Sequence, residues 1–173
     1  MPSAPLSRRL ARLRVPLGFV FGLAVLILAR PTWRSILVGA LIGLAGEGIR
    51  FWASGHLEKS REVTRSGPYR FTRHPLYVGS SVMGLGVAVG TASWIVLVLV
   101  VVYMGSTIAA AIRTEEAFLR ERFGDQYDEY ARSRAPAMER PFSLERAWRN
   151  REYRAMVGLL VAIALLSIKA AWF

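Results

Sequence analysis

Residues 76–112 read LYVGSSVMGLGVAVGTASWIVLVLVVVYMGSTIAAAI and contain no charged side chain. As a single α-helix this stretch would be about 55 Å long, at about 1.5 Å per residue, whereas the hydrocarbon core of a bilayer is about 30 Å thick. The stretch is therefore expected to fold back on itself. The break is predicted at Gly90-Thr91-Ala92-Ser93, because glycine suits a helix C-terminus and hydroxyl side chains suit a helix N-cap. Two predicted membrane spans result, 76–90 and 94–112.

Three further apolar runs extend this hairpin into a bundle. They cover residues 15–30, 36–54 and 155–172. Because 53% of the 173 residues are hydrophobic, the chain is predicted to be an all-α, polytopic membrane helical bundle with about five transmembrane helices, forming one domain over residues 1–173. The chain has no cysteine and only two histidines, which excludes disulfides, thiolate chemistry and a structural zinc site, so no metal is expected.

The net charge of +11 is explained by a predicted membrane topology. With the N-terminus in the cytoplasm, basic residues concentrate on that side, in the N-terminal arm (Arg8, Arg9, Arg12 and Arg14), in the connector 55–75 and in the segment after residue 112. We expect an integral protein of the bacterial inner membrane. Since topology and attraction to anionic lipid headgroups explain the positive charge, no nucleic-acid partner is expected, and no obligate protein partner is inferred.

Two ionisable residues, Glu47 and Arg50, lie inside the second predicted span, where charge is costly. At a spacing of three they share a helix face, so we interpret them mainly as a structural pair. A polar lining beside a groove that is accessible from the lipid is the alternative. The late basic segment 146–154 is predicted to lie on anionic headgroups, with no chemical role. Close helix contacts are expected at Gly39, Gly43, Gly46, Gly48, Gly79, Gly84 and Gly86.

The connector between the second and third spans has clear turn signals. Gly67-Pro68 marks a turn, and Pro75 disfavours helical geometry at His74 while suiting the first position of the next helix. His74 is therefore predicted to be the N-cap. The helix N-terminus, with Arg73 and His74 beside it, would favour a bound carboxylate. An ordinary basic loop with no ligand is the alternative.

The connector after the fourth span begins as a helix. Nothing breaks helical geometry between residues 112 and 123, so the fourth helix is predicted to continue for about three turns into the cytoplasm and to end at Gly124. This extension carries Glu115 and Glu116, which are adjacent and so cannot share a helix face; at most one is expected to face the bundle. An amphipathic helix lying in the membrane interface is the alternative.

Together, the two connectors resemble those of the isoprenylcysteine carboxyl methyltransferase and phospholipid methyltransferase superfamily of integral membrane methyltransferases. The likeness covers about residues 55–136. The residues that carry it are Gly67-Pro68-Tyr69, Arg73-His74-Pro75-Leu76-Tyr77-Val78-Gly79, Glu115-Glu116, Phe123-Gly124, Tyr127 and Tyr130, with a weaker match at Gly55-His56-Leu57-Glu58-Lys59. The resemblance implies a cytoplasmic pocket for S-adenosylmethionine, with S-adenosylhomocysteine as the product.

The resemblance also implies roles for individual residues. The implied cofactor-binding residues are His56, Arg61, Glu62, Val63, Thr64, Tyr69, Arg73, His74, Pro75, Leu76, Tyr77 and Glu115. Methyl transfer from a sulfonium is an in-line displacement that needs alignment rather than a nucleophilic side chain. A general base is needed only if the acceptor carries a proton, and Glu116 and Tyr127 are the hypothesised candidates.

The acceptor is expected to be hydrophobic or lipid-like and to reach the pocket from the bilayer. A prenylated cysteine carboxylate, a phospholipid amine, a small thiol and an isoprenoid are all compatible with the same cofactor motif. Two other functions stay open at this point. Sterol reductases share a similar Arg-His-Pro loop and use NADPH, and a non-catalytic membrane protein could retain the loops without activity.

Overall fold

The chain folds into α-helices joined by short turns and two longer connectors, as seen in a computed structural model that describes residue 18 and residues 20–172. The helices are α1 (20–28), α2 (Trp33–Ser54), α3 (Pro75–Gly90), α4 (Trp94–Phe123), α5 (Asp125–Ala131), α6 (Leu144–Arg149) and α7 (Tyr153–Trp172), with a 3₁₀ turn at Gly67–Arg70. The predicted all-α bundle is confirmed. The basic arm with Arg8, Arg9, Arg12 and Arg14, and the start of the first predicted span, lie outside the described residues.

Three helices, α2, α4 and α7, are long and apolar enough to cross a bilayer. Helix α3 is apolar but has only 16 residues, which gives a length of about 24 Å. The count of five spans therefore stays a prediction for α1 and α3. Large apolar side chains on the spanning helices, such as Leu41, Val102 and Trp172, are exposed, as expected for surfaces in contact with lipid. The protein is an integral membrane protein.

The predicted break between α3 and α4 is confirmed. Helix α3 ends at Gly90, and Ser93 caps α4 by accepting a hydrogen bond from the backbone N–H of Val96. The positive φ of this turn, +49°, falls on Ala92 and not on the glycine. Helix α4 then runs without interruption to Phe123 and ends at Gly124, as predicted.

Helices α2 and α3 form the main helix pair of the bundle, and glycine lets their backbones touch. A methyl group added at Gly46 would lie 2.5 Å from the Met83 nitrogen and 2.7 Å from the Gly79 oxygen. No side-chain movement could relieve that contact, because both atoms belong to the backbone. The expected close contacts are found at six of the seven predicted glycines; Gly48 instead faces open space.

We expect Gly46→Ala to lower the stability of the fold by about 1–3 kcal/mol, because the added methyl group would push α2 and α3 apart. Gly48→Ala is the matched control on the same helix and should be neutral or stabilising, by about 0.5–1 kcal/mol. Thermal unfolding of both variants in detergent would measure the difference. Equal unfolding temperatures would contradict this account of the α2–α3 contact.

Arg50 connects α2 to the helices on either side of it. Its guanidinium donates to both carboxylate oxygens of Glu152, at 2.7 and 3.2 Å, and to Ser80 Oγ and Leu76 O on α3, at 2.5 and 3.3 Å. The predicted pair with Glu47 exists only as a 3.9 Å contact. The main partner, Glu152, directly precedes α7. The basic segment 146–154, which was predicted only to lie on lipid headgroups, therefore also contributes a contact inside the bundle.

The first connector, residues 55–74, packs against the segment 138–150. A buried histidine, His56, lies between them. The His56 ring lies 3.2 Å from Ser66 Oγ and directly against Gly67, whose φ is +55°. The Asn150 side chain donates to Ser54 O, at the end of α2, and to Leu57 O in the connector. Burial, followed by the charges of nearby arginines, lowers the pKa of His56 below its ordinary value. The folded protein therefore holds this ring uncharged.

This lowered pKa predicts acid sensitivity. Below pH 6.5, the ordinary histidine value, the unfolded chain takes up a proton on His56 that the folded chain resists. Stability is therefore lost as the pH falls from 6.5 toward the folded pKa. We expect the unfolding temperature to fall less in His56→Gln than in wild type between about pH 7 and 5.5. Equal losses in the two proteins would contradict the prediction.

Candidate functional site

The site is built around the first turn of α3. His74 is its N-cap, as predicted, and Pro75 is its first residue. The backbone N–H groups of Tyr77 and Val78 already donate to the His74 carbonyl, at 3.0 and 3.1 Å, and Pro75 has no N–H. The helix terminus therefore offers fewer free N–H groups to an anion than the sequence suggested. The positive charge beside this turn comes from the Arg73 side chain, with the His74 ring next to it.

The His74 ring lies between two adjacent carboxylates of the α4 extension. Its Nε2 atom is 3.1 Å from Glu116 Oε1, and its Nδ1 atom is 3.9 Å from Glu115 Oε2. As expected, one glutamate turns inward: the Glu116 side chain is 16% exposed, whereas Glu115 stays 44% exposed and reaches the ring only by the longer contact. An imidazole has nitrogens on two sides of the ring, so neighbouring residues on different helix faces can approach it from both.

The two glutamates differ in their surroundings. Glu116, beyond the apolar part of α4, also pairs with Arg73 at 3.1 Å and with Arg120 at 3.3 Å. The hydrogen bond with His74, followed by these arginines, lowers the pKa of Glu116 despite its partial burial. The Glu115 side chain is 44% exposed and has only the long contact with His74. Glu116 is therefore a fixed charge within the fold, whereas Glu115 is available to a ligand.

Three tyrosines enclose the same region. Tyr69 is buried in the 3₁₀ turn, and Tyr130 on α5 donates a hydrogen bond of 2.8 Å to its carbonyl. Burial, followed by the nearby Glu115 charge, raises the pKa of Tyr69. The Tyr77 ring centroid lies 5.9 Å from that of His74. Helix α5 is thus docked onto the first connector, which brings both predicted connectors into one site.

Tyr127 is the most buried aromatic residue of the site, with 1% exposure. Its hydroxyl makes no hydrogen bond of normal geometry to any residue that the structure describes. Burial, followed by the neighbouring Glu116 charge, raises the pKa of Tyr127. A buried phenol without a partner is costly unless a ligand or water completes its hydrogen bond.

The remaining predicted residues form a second group around the first connector. Val63 and Thr64 are buried, while Glu62 pairs with Arg140 at 2.6 Å. Arg61 is largely exposed and reaches only Glu58, at 3.7 Å. Among the described residues, the hydrogen bonds and ion pairs of this group run within the connector, to Ala53 at the end of α2 and to Arg140, and none runs to His74 or Glu115. The structure thus brings Tyr69, Arg73, His74, Tyr77 and Glu115 together, with Pro75 and Leu76 in the turn beneath them.

Sequence reasoning did not assign roles to Arg120, Arg140 or Glu152. Arg120 follows Glu116 by four residues, a spacing that predicts a helical ion pair and could have identified it. Arg140 and Glu152 contact partners 78 and 102 residues away, and no local pattern indicates such contacts. In the described part of the chain, no three His, Asp or Glu side chains are grouped as metal ligands.

Comparison with known proteins places these connectors in a family. A family model described as phospholipid methyltransferase matches residues 19–126. The chain is 34% identical, over 142 residues, to the cobalt-zinc-cadmium resistance protein CzcN of Cupriavidus metallidurans, covering 77% of the chain and 64% of that protein. It is 32% identical, over 113 residues, to protein-S-isoprenylcysteine O-methyltransferase A of Arabidopsis thaliana, covering 65% of the chain and 55% of that enzyme.

A third relative is the protein-S-isoprenylcysteine O-methyltransferase of Schizosaccharomyces pombe, which is 29% identical over 93 residues and covers 54% of the chain and 39% of that enzyme. The chain therefore spans less than two thirds of the length of each of these relatives. No solved structure shows a significant match. The family model covers more than half of the chain and includes His74, Glu115 and Glu116. The chain belongs to the phospholipid methyltransferase family.

Proposed function

We propose that this protein transfers a methyl group from S-adenosylmethionine to a hydrophobic or lipid-like acceptor. The observation that carries the proposal is the His74 ring between Glu115 and Glu116, beside Arg73 and the unpartnered hydroxyl of Tyr127. Cations, a free carboxylate and an open hydrogen-bonding group converge there at the end of a membrane helix. Family membership supports methyl transfer as the reaction.

The residues of the site fit such a cofactor. Its amino acid end bears an ammonium, which suits the half-exposed carboxylate of Glu115, and a carboxylate, which suits Arg73 and His74. Its adenine is a flat ring that can pack on Tyr77 or Tyr69. In this proposal, residues 55–136 form the cofactor-binding core. His56, Arg61, Glu62, Val63 and Thr64 support it from the connector side.

When bound, the cofactor supplies an electrophilic methyl group on a positively charged sulfur, and it departs as the neutral sulfide S-adenosylhomocysteine. The protein's own task is alignment and the exclusion of water. Tyr69, buried and joined to α5 through Tyr130, closes the connector over the first turn of α3. A rigid wall of this kind can align a donor with an acceptor that enters from the bilayer.

The two candidates for a general base take different roles in this proposal. Glu116 lies beside two arginines, accepts a hydrogen bond from His74 and has a lowered pKa, so it is a weak base and positions His74. Tyr127 has a raised pKa, so its phenol stays protonated near neutral pH and can donate a hydrogen bond. An acceptor that is already a carboxylate or a thiolate would need no base from either residue.

The membrane orientation is part of the same proposal. We place the N-terminus and both connectors in the cytoplasm of a bacterial inner membrane, where S-adenosylmethionine is made and the basic residues are favoured. The family match favours methyl transfer over the alternative of NADPH-dependent reduction. The names of the curated relatives differ in what they imply, so the proposal defines the acceptor only by its hydrophobic character.

We expect Glu115→Gln to weaken the binding of S-adenosylhomocysteine about tenfold or more, because one charge-assisted contact is removed. The matched control is Glu121→Gln, which removes an exposed carboxylate from the same helix and should leave the affinity unchanged. Calorimetric titration of the purified proteins would measure both. Wild-type binding of NADPH without S-adenosylhomocysteine would refute the proposed cofactor.

Tyr127→Phe separates catalysis from stability. Because the hydroxyl makes no hydrogen bond of normal geometry to the described residues, its removal should leave the unfolding temperature unchanged or higher. We expect turnover to fall about tenfold or more, since a hydrogen bond to bound groups is lost. The assay follows label from methyl-labelled S-adenosylmethionine into the lipid extract of reconstituted vesicles. Normal turnover in the variant would remove Tyr127 from the mechanism, and unlabelled lipid with wild-type protein would argue against a lipid acceptor.

A further inference from the structure

A cavity of 360 Å³ lies between connector residues 69–73 and residues 130–137. Three arginines, Arg65, Arg70 and Arg73, contribute to its lining, together with the hydroxyl-bearing Thr72 and Ser133. No aspartate or glutamate belongs to the lining that the structure describes. Three cations around one cavity repel each other, so an anion in the cavity would stabilise this arrangement.

The three arginines differ in whether a nearby carboxylate of the protein balances their charge. Arg73 pairs with Glu116 at 3.1 Å. Among the described residues, Arg70 has one ion pair, with the 96% exposed Glu139 at 3.9 Å, and one long hydrogen bond to Met138 O at 3.5 Å. Arg65 makes no ion pair with any described residue, and its Nε atom is buried without a hydrogen-bond partner. A buried, unpaired donor on a charged group is unfavourable, which indicates that Arg65 has a partner outside the described chain.

The position of the cavity identifies the kind of anion. Phe71, also in the lining, is 81% exposed, and its ring lies 6.5 Å from that of Trp52, close to the end of membrane helix α2. Exposed aromatic rings beside arginines at the end of a membrane helix are typical of the headgroup layer of a bilayer. The fork of a guanidinium matches the oxygens of a phosphate, and two or more guanidiniums can bind one phosphate together.

We propose that this cavity binds the phosphate of an anionic lipid headgroup, held by Arg65 and Arg70, as a lipid that is not itself methylated. Tyr69 and Arg73 line this cavity and also belong to the proposed cofactor residues, and the proposal is that the lipid phosphate and the cofactor occupy separate places on either side of them. The proposal does not depend on methyl transfer. It holds or fails on lipid binding alone.

The test measures lipid retention by native mass spectrometry of the full-length protein in detergent, titrated with phosphatidylglycerol. Wild type should retain one lipid molecule, and the double variant Arg65→Gln/Arg70→Gln should bind it at least tenfold more weakly. Arg113→Gln removes one exposed arginine from the same side of the protein, outside the cavity, and should bind like wild type. Unchanged affinity in the double variant would overturn the proposal.

A second variant covers the possibility that the double variant fails to fold, which circular dichroism would reveal. Ser133→Asp keeps both arginines and adds a negative charge to the cavity wall, at an exposed position whose positive φ an aspartate tolerates. Its phosphatidylglycerol affinity should also fall at least tenfold. Wild-type affinity in this variant would count against the cavity as the binding site.

Three competitors distinguish the source of the phosphate. Diacylglycerol, which has the chains without the phosphate, should not displace phosphatidylglycerol. Glycerol 3-phosphate should displace it only weakly, and displacement at equal concentration would overturn the choice of a lipid in favour of a soluble phosphate. S-adenosylhomocysteine should leave the lipid bound. Its displacement of the lipid would show that the cavity belongs to the cofactor site and would refute a separate lipid site.

Discussion

The fold depends on one ionic interaction within the helical bundle, between Arg50 on α2 and Glu152, which directly precedes α7. The bidentate contact, at 2.7 and 3.2 Å, is largely shielded from solvent, and the same guanidinium donates to Leu76 O and Ser80 Oγ in the first turns of α3. An unpaired buried charge would be costly, so each partner fixes the position of the other. The His74 side chain is therefore presented from a turn whose place in the bundle is fixed.

Above this contact, two adjacent glutamates of one sequence motif have separate tasks. Glu116 is surrounded by Arg73, His74 and Arg120, and so it stabilises the fold as a permanent anion. Glu115 is half-exposed beside the same histidine. The pair shows how a membrane protein with little structure outside the bilayer can build a polar site. A helix that extends beyond its apolar part carries the acidic groups to a basic connector.

Much of the scaffold could be predicted because its causes are local. The break at residues 90–93, the N-cap at His74 and the end of α4 at Gly124 each depend on residues within one turn of the position concerned. The resemblance of the connectors identified the residues around His74. The packing of Arg61 to Thr64 could not be predicted, because the sequence of a connector does not reveal which way it packs. In the structure, Glu62 of this strip contacts Arg140 rather than His74.

The sequence by itself determined that the chain is a helical membrane protein, where its helices turn, and which two connectors carry the polar residues, because hydrophobicity and turn preferences act between near neighbours. Only the tertiary structure decided that Arg50 pairs with Glu152 more closely than with Glu47, that both glutamates approach one histidine, and that the Tyr127 hydroxyl is buried without a hydrogen bond of normal geometry to the described residues. These outcomes depend on helices separated by many residues in the chain. Burial and the choice of ionic partner are set by how such helices pack together, which no local pattern encodes.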